Sequence, residues 1–143
     1  MASQNVLPLK VTLAADSTIP ASVMLGSASI DGKSTGATTL YTVPTGKTAI
    51  VTKVILRMTA ASNVTGVADV SVGKTTAEWE DIVAETTLTN FDAAGETWHF
   101  NIASLNASVA AAGTVKIDVD TAATTTGAED TYTFTAMVFG FLV

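Results

Sequence analysis

The sequence predicts an all-β, mainly antiparallel fold, a β-sandwich or jelly roll with one short helix and an extended N-terminal arm. Several segments alternate apolar and polar residues, which is the period of a half-buried strand. Turn-forming Gly, Pro, Asn and Asp residues separate these segments at short intervals. The last segment is apolar on both faces, which is typical of a strand that is covered on both sides.

The length of 143 residues fits one domain, and we divide it into an arm over 1–39 and a sandwich over 40–143. Pro8 favours an edge position for any strand near the start, because proline lacks a backbone donor. The Gly-, Ser- and Ala-rich stretch 26–39 loses much conformational entropy when it becomes ordered alone. The arm is therefore either a flexible N-terminal segment or a segment that is ordered against a neighbouring subunit.

The central segment 40–58 predicts a hairpin around Pro44-Thr45-Gly46. Proline suits the second position of a type I turn, and glycine accepts the positive φ that follows. The outgoing strand is long and alternates, so we expect it near the middle of a sheet. Its predicted core face is formed by Ile50, Thr52, Val54, Leu56 and Met58.

The stretch 75–85 is the candidate helix. Thr75 and Glu78 fit a capping box, and a narrow apolar stripe follows at helical spacing, formed by Trp79, Ile82 and Val83. A helix of about three turns is marginal without packing. The competing interpretation is an irregular loop that is pinned by Trp79.

Four later segments alternate as strands, namely 67–73, 96–102, 114–121 and 131–143. In the last of them the predicted core face is formed by Tyr132, Phe134, Ala136 and Val138. The opposite face carries a second apolar set, formed by Met137, Phe139, Phe141 and Val143. A two-layer domain offers this second set no partner, so we predict a homo-oligomer interface there. The alternative is that the arm of the same chain covers it.

Charge and composition exclude several function classes. Only 14% of the residues are charged, the net charge is −6, and the seven Lys and Arg are scattered singly. Direct nucleic-acid binding needs a basic stripe, so we do not expect it. Cysteine is absent, which excludes disulfides and thiolate catalysis. We find no secretion signal and no apolar stretch long enough to span a bilayer, so we expect no membrane association.

We expect no catalytic residues, no cofactor and no metal site. Three Gly-Lys-Ser/Thr triplets lack the earlier glycine that a phosphate-binding loop requires, so we interpret them as turns. The single histidine, His99, suggests no local triad or metal cluster. Asp118 and Asp120 share a strand face, and Glu129 and Asp130 follow in the next loop. Their spacing matches no calcium loop, and the sequence does not decide whether these carboxylates bind a calcium ion.

The stretch 40–49, LYTVPTGKTA, and the Val/Ile-rich strand after it resemble a segment of small structural proteins of tailed bacteriophages. The later stretches 79–83 and 96–100 are compatible with that resemblance. The resemblance implies a β-sandwich in the virion and, by analogy with other virion proteins, favours a trimer for the homo-oligomer; it carries over no catalytic residue. Because we find no secretion signal, we expect the protein to be made in the host cytoplasm.

Two functions remain open under this resemblance. The first is a capsid decoration or cement protein that binds the outside of the capsid as a symmetric oligomer, with the major capsid protein or another virion protein as its partner. The second is a fibre- or tail-associated module that binds a receptor or glycan. That module needs an exposed aromatic platform, for which the candidates are Tyr41, Trp79 and Trp98.

Overall fold

The computed structural model describes residues 10–13, 17–20, 22–74, 79–102 and 107–143, and in this part of the chain the elements are strands. They are β1 (Lys10–Leu13), β2 (Ser17–Pro20), β3 (Val23–Asp31), β4 (Gly36–Thr42), β5 (Ala49–Ala61), β6 (Val64–Gly66), β7 (Asp69–Gly73), β8 (Val83–Thr87), β9 (Thr97–Asn101), β10 (Ser108–Val109), β11 (Thr114–Thr121), β12 (Thr124–Thr125) and β13 (Tyr132–Leu142). The predicted all-β class is confirmed.

Two antiparallel sheets build the sandwich. In the first sheet β3 pairs with β13, β13 pairs with β5, and β5 pairs on its other side with β9 and β10. The second sheet has the order β4-β11-β7-β8. Small ladders join β1 to β2 and β6 to β12. Four of the pairs among the eight long strands are nested in chain order, each enclosing the next: β3 with β13, β4 with β11, β5 with β9, and β7 with β8.

The core lies between the inner faces of the two sheets. The last strand contributes the inward set that the alternation predicts, because Tyr132, Phe134, Ala136 and Val138 are all fully buried. Phe91 meets Phe134 edge-to-face with ring centroids 5.8 Å apart. The Tyr132 hydroxyl donates a hydrogen bond of 2.7 Å to the Phe91 carbonyl oxygen, and burial raises the pKa of Tyr132 to about 12. This contact ties the loop before β9 to the core.

The long central strand β5 contains two bulges that set which side chains face inward. Thr52 and Thr59 have no partner in β13, since the register shifts at both places. Val54, Leu56 and Met58 are buried as predicted. The prediction for Ile50 is wrong, because the bulge at Thr52 inverts the alternation, and the buried side chains before it are Ala49 and Val51.

The turn before β5 exists, but the predicted hairpin does not. Gly46 has φ +75°, and the Lys47 N–H donates to the Pro44 carbonyl oxygen at 3.2 Å, so Pro44 is the first residue of the turn rather than the second. The strands on either side belong to different sheets: β4 pairs with β11, and β5 is flanked by β13 and β9. A local turn fixes the reversal of the chain, whereas long-range pairing decides which sheet each strand joins.

The predicted helix over 75–85 is wrong for its described part. Trp79 has φ +52°, which no α-helical residue adopts, and Val83 begins a strand that pairs with β7. Pairing with the open edge of β7 satisfies the backbone of a segment that is too short for a stable helix. The capping residues Thr75 and Glu78 lie outside the described residues.

Residues 23–39 fall within the predicted arm over 1–39. They contain β3 and the start of β4, however, and these are strands of the sandwich. One of their small residues, Gly26, is required by close packing. A Cβ atom added at Gly26 would collide with the Leu40 carbonyl oxygen, so only glycine allows these two strands to approach at this point. Among the described strands, β1 and β2 pair only with each other.

We predict that Leu56→Ala lowers the free energy of unfolding by about 2–5 kcal/mol, because Leu56 is fully buried between the sheets. Arg57→Ala, the adjacent exposed position on the same strand, should change it by less than about 0.5 kcal/mol. Urea denaturation followed by circular dichroism measures both. Equal losses for the two variants would contradict the assignment of the strand faces.

Candidate functional site

The outer face of the first sheet combines apolar and basic side chains. Three cross-strand rows run over β9, β5, β13 and β3: Asn101, Lys53, Phe139 and Met24; His99, Ile55, Met137 and Ser27; Thr97, Arg57, Thr135 and Ser29. These rows contain two permanent cations and no carboxylate. We name as the basic face the six residues Lys53, Ile55, Arg57, His99, Met137 and Phe139.

A hollow of about 360 Å³ opens on the basic face beside the bulge in β5. It is lined by Ser22, Thr52, Lys53, Ile55 and Phe139. The Ser22 and Thr52 hydroxyl oxygens are 2.5 Å apart, and Thr52 also donates to the Phe139 carbonyl oxygen at 3.3 Å. The bulged residue therefore holds the start of β3 against the rim of the hollow.

The predicted interface residues lie where the alternation places them. Met137, Phe139 and Phe141 project from the outer side of β13 and are half-buried, and Val143 is 60% exposed. Phe141 pairs with Ile50, which the bulge at Thr52 has turned to the same outer side. Met24, opposite Phe139 on β3, is 55% exposed. Near the C-terminal end of β13, these apolar side chains thus lie next to one another and form an apolar band on the outer surface.

The outer face of the second sheet carries the opposite charge. The carboxylates stand on three neighbouring strands, and we name them the acidic face: Asp69, Glu85, Asp118 and Asp120. Asp118 is opposite Ser71, and Asp120 lies at a register shift of β11 next to Asp69. Lys116 is on the same side of β11, and its Nζ lies 4.5 Å from the centre of the Trp79 ring.

Burial and repulsion raise the pKa of two carboxyl groups on the acidic face, Asp120 and Glu85. Burial raises the pKa of Asp120, a hydrogen bond from Ser71 opposes the rise, and the charges of Asp118 and Asp69 add to it. Loss of hydration and the charges of Asp120, Asp69 and Glu80 also raise the pKa of Glu85. One oxygen of Asp118 and one of Asp120 are shielded from solvent and accept no hydrogen bond from the described part of the chain. The acidic face is therefore destabilised when fully ionised.

Asp130 has the opposite environment. Its carboxylate accepts hydrogen bonds from the Asn63 side chain at 2.8 Å and the Gly127 N–H at 2.7 Å, and these lower the pKa of Asp130. Lys33 donates to the Asp130 carbonyl oxygen at 2.6 Å. This network joins the loop before β13 to the turn after β3. Within the described residues, no group of three His, Asp or Glu side chains is placed to hold a metal ion.

The three candidate aromatic residues stand on different elements. Tyr41 on β4 and Trp98 on β9 are half-buried against the core, with Trp98 tilted against Phe100 at 6.4 Å. Trp79, in the connection between β7 and β8, stacks with Lys116. No ring contact joins any two of the three in the described residues. His99 is exposed on the outer side of β9, opposite Ile55.

Sequence reasoning missed the contrast between the two outer faces. Lys53 and Arg57 were visible as outward residues of one strand, and Asp118 and Asp120 as outward residues of another. The signal that these pairs lie on opposite sides of the molecule is the strand order, which local alternation does not contain. No helix long and apolar enough to cross a membrane is found where the structure describes the chain.

No protein-family model and no curated protein matches the chain. Solved structures match it in fold. A chain from the structure described as "Acidic stable capsid structure of Helicobacter pylori bacteriophage KHP30" is similar with a TM-score of 0.52 and 17% identity, over 94% of this chain and 95% of that chain. A chain of the "Cyanophage Pam1 capsid asymmetric unit" is similar with a TM-score of 0.48 and 19% identity, over 82% of each chain. The first similarity shows a shared fold.

We predict that Asp120→Asn stabilises the protein at neutral pH and flattens its acid-side pH profile. The pKa of Asp120 is raised above its usual 3.8, so the folded state holds that proton more tightly than the unfolded state does. In the parent the free energy of unfolding therefore falls as the pH rises from about 3.8 through the raised pKa. The variant cannot ionise and lacks this fall. Thermal melting between pH 3 and pH 8 measures it.

Asp130→Asn is the matched control, with the opposite sign. The pKa of Asp130 is lowered below 3.8, so its stabilisation is present above that pH and is lost as the pH falls through the lowered pKa. This variant should melt at a lower temperature than the parent at neutral pH and approach it in acid. Identical profiles for the two variants would contradict the assigned environments.

Proposed function

We propose that the chain is a non-enzymatic structural protein of a bacteriophage virion, and specifically a decoration or cement protein on the outside of the capsid. One observation carries this proposal: the shared fold with a chain of the KHP30 capsid structure extends over 94% of this chain and 95% of that one. Because both shares are nearly complete, the two chains have about the same length. The similarity is therefore between whole chains rather than between a domain and a part of a larger protein.

The strand pairing supports a more specific fold assignment. In a jelly roll, eight strands fold as a nested double layer, an arrangement used by viral capsid domains. The nested pairs of β3 with β13, β4 with β11, β5 with β9, and β7 with β8 fit that arrangement. A small two-layer domain of this kind suits a part that is added to the surface of a shell.

The apolar band on β13 supports assembly into a symmetric homo-oligomer, with a trimer favoured. Met137, Phe139, Phe141 and Val143 lie on the outer side of a two-layer sandwich, where water is the alternative to a partner. Burying side chains of this size contributes about 1.5–3 kcal/mol each before ordering costs. The further partner is the major capsid protein or another virion protein, and the site of synthesis is the host cytoplasm.

An N-terminal arm also belongs to this proposal, in shortened form. The sandwich begins with β3 at Val23, and the β1–β2 hairpin before it pairs with neither sheet. A two-stranded hairpin is marginally stable alone in water, so this segment gains from contact with a neighbouring subunit or the capsid.

The receptor- or glycan-binding module has less support. It requires aromatic rings that share an exposed face, whereas Tyr41 and Trp98 pack against the core and Trp79 stacks with Lys116. The decoration role needs no such platform.

We expect the protein to be present in purified particles of the phage that encodes it, at a stoichiometric ratio to the major capsid protein. Mass spectrometry of the particles measures that ratio. Recombinant protein should co-sediment with capsids that lack it and should not be retained by host-surface glycans, with serum albumin as a control for adventitious pelleting. Absence from the particles, or retention by glycans alone, would refute the decoration role.

We predict that Phe139→Ser combined with Phe141→Ser gives a folded and soluble but smaller species, because the interface loses its two largest apolar side chains. Multi-angle light scattering and circular dichroism measure size and folding. Thr133→Ser with Thr135→Ser, on the same side of the same strand, is the matched control and should keep the parent size. Unfolding or aggregation of the Phe variant would mean that these side chains stabilise the single chain instead.

A further inference from the structure

We propose that the basic face of one copy docks onto the acidic face of a second copy, in a head-to-tail contact. This inference rests on the proposed homo-oligomer and states which surfaces meet in it. The partner is the same chain, because the chain itself carries both complementary surfaces.

The two faces are complementary in charge and point in opposite directions. The inner sides of the sheets pack together, so the outward residues of β5 and of β11 lie on opposite sides of the molecule. One side presents Lys53 and Arg57 in rows without a carboxylate. The other side presents Asp69, Glu85, Asp118 and Asp120, together with the cation Lys116 on the same side of β11. Opposite potentials of this kind orient the encounter of two copies and disfavour other pairings.

Each face has a physical reason to be covered. The basic face exposes part of Ile55, Met137 and Phe139 to water, around a hollow that nothing in the described chain fills. The acidic face holds carboxylates that repel one another, and this repulsion contributes to the raised pKa of Glu85. Docking would remove apolar surface from water on one side and bring two cations to the crowded carboxylates on the other.

The same charges argue against a twofold contact. In a twofold interface each patch meets its own copy, so a basic face would meet a basic face. Lys53 and Arg57 would then oppose like charges, which is destabilising. A head-to-tail contact avoids this arrangement, and it forms a ring if its rotation closes.

Charge reversal tests the contact on the intact chain. The basic-face variant is Lys53→Glu with Arg57→Glu, and the acidic-face variant is Asp69→Lys with Glu85→Lys. Each should weaken self-association by about tenfold or more, since like charges then face each other. The chain that carries all four substitutions again pairs the reversed positions with opposite charges, while Asp118 and Asp120 stay acidic, and it should recover part of the parent association. Sedimentation velocity over a concentration series at low and moderate salt measures association.

A matched control reverses charges that lie on neither face. Lys47→Glu with Glu129→Lys changes two exposed loop residues and should leave association unchanged. Circular dichroism establishes the folding of every variant. Where a double variant does not fold, Arg57→Glu and Glu85→Lys alone replace it, because both side chains are exposed.

The outcomes separate this inference from the proposal on which it rests. Loss of assembly in both double variants and its partial recovery in the fourfold variant would support the head-to-tail contact. An acidic-face variant that assembles like the parent would overturn it and leave an oligomer built on another surface. Failure of the fourfold variant to recover would also overturn it. A parent chain that is monomeric at all concentrations would refute the homo-oligomer and this contact together.

Discussion

The pairing of β5 with β13 is the constraint on which the rest of the structure depends. The two strands are joined over eleven partner positions at the centre of the first sheet, from Tyr132 opposite Ala61 to Leu142 opposite Ala49. Gly140 allows the close approach at the bulge, because a Cβ atom there would collide with the Ile50 carbonyl oxygen. One ladder thus delivers the buried side chains of both strands to the core and sets the cross-strand rows on the outer face. A change in its register would alter the core and the outer surface together.

The bulges explain how one strand serves two surfaces. Strict alternation through β5 would place Ile50 in the core and Val51 outside. With Thr52 unpaired, the strand keeps Val51 inside at one end and Val54, Leu56 and Met58 inside at the other. The Thr52 hydroxyl then bonds to the Phe139 carbonyl oxygen and contacts Ser22, which fixes where β3 begins. The outer hollow and the inner core are therefore consequences of the same irregularity.

Local sequence predicted those features that depend on residues a few positions apart. The bounds of β11 agree with the predicted segment 114–121, and the inward set of β13 is confirmed residue by residue. The errors occurred where distant pairing decides. The turn at Pro44 was visible, yet the separation of β4 and β5 into different sheets depends on β11 and β13, which lie far along the chain. Trp79 and Val83 fitted a helical stripe, but the open edge of β7 offered their segment hydrogen bonds that an isolated short helix lacks. The small residues of β3 and β4 suggested a loose arm, whereas the close approach of Gly26 to the Leu40 carbonyl oxygen is a contact between strands that local sequence does not show.

The candidate site was harder to predict than the fold, for a physical reason. Burial restricts core positions to apolar residues, so their alternation can be recognised in the sequence. An outward position, by contrast, accepts almost any polar residue. Lys53 and Asp118 each look like an ordinary outward residue of a half-buried strand. Their significance arises only when the sheet order places them on opposite sides of one sandwich, each beside further residues of like charge. Since the fold tolerates such charges at many outward positions, the grouping of Lys53 with Arg57 on one side, and of four carboxylates around Lys116 on the other, is a property that folding does not require. A contact between copies supplies a reason for it, because association depends on the outer surfaces that the core leaves free to vary.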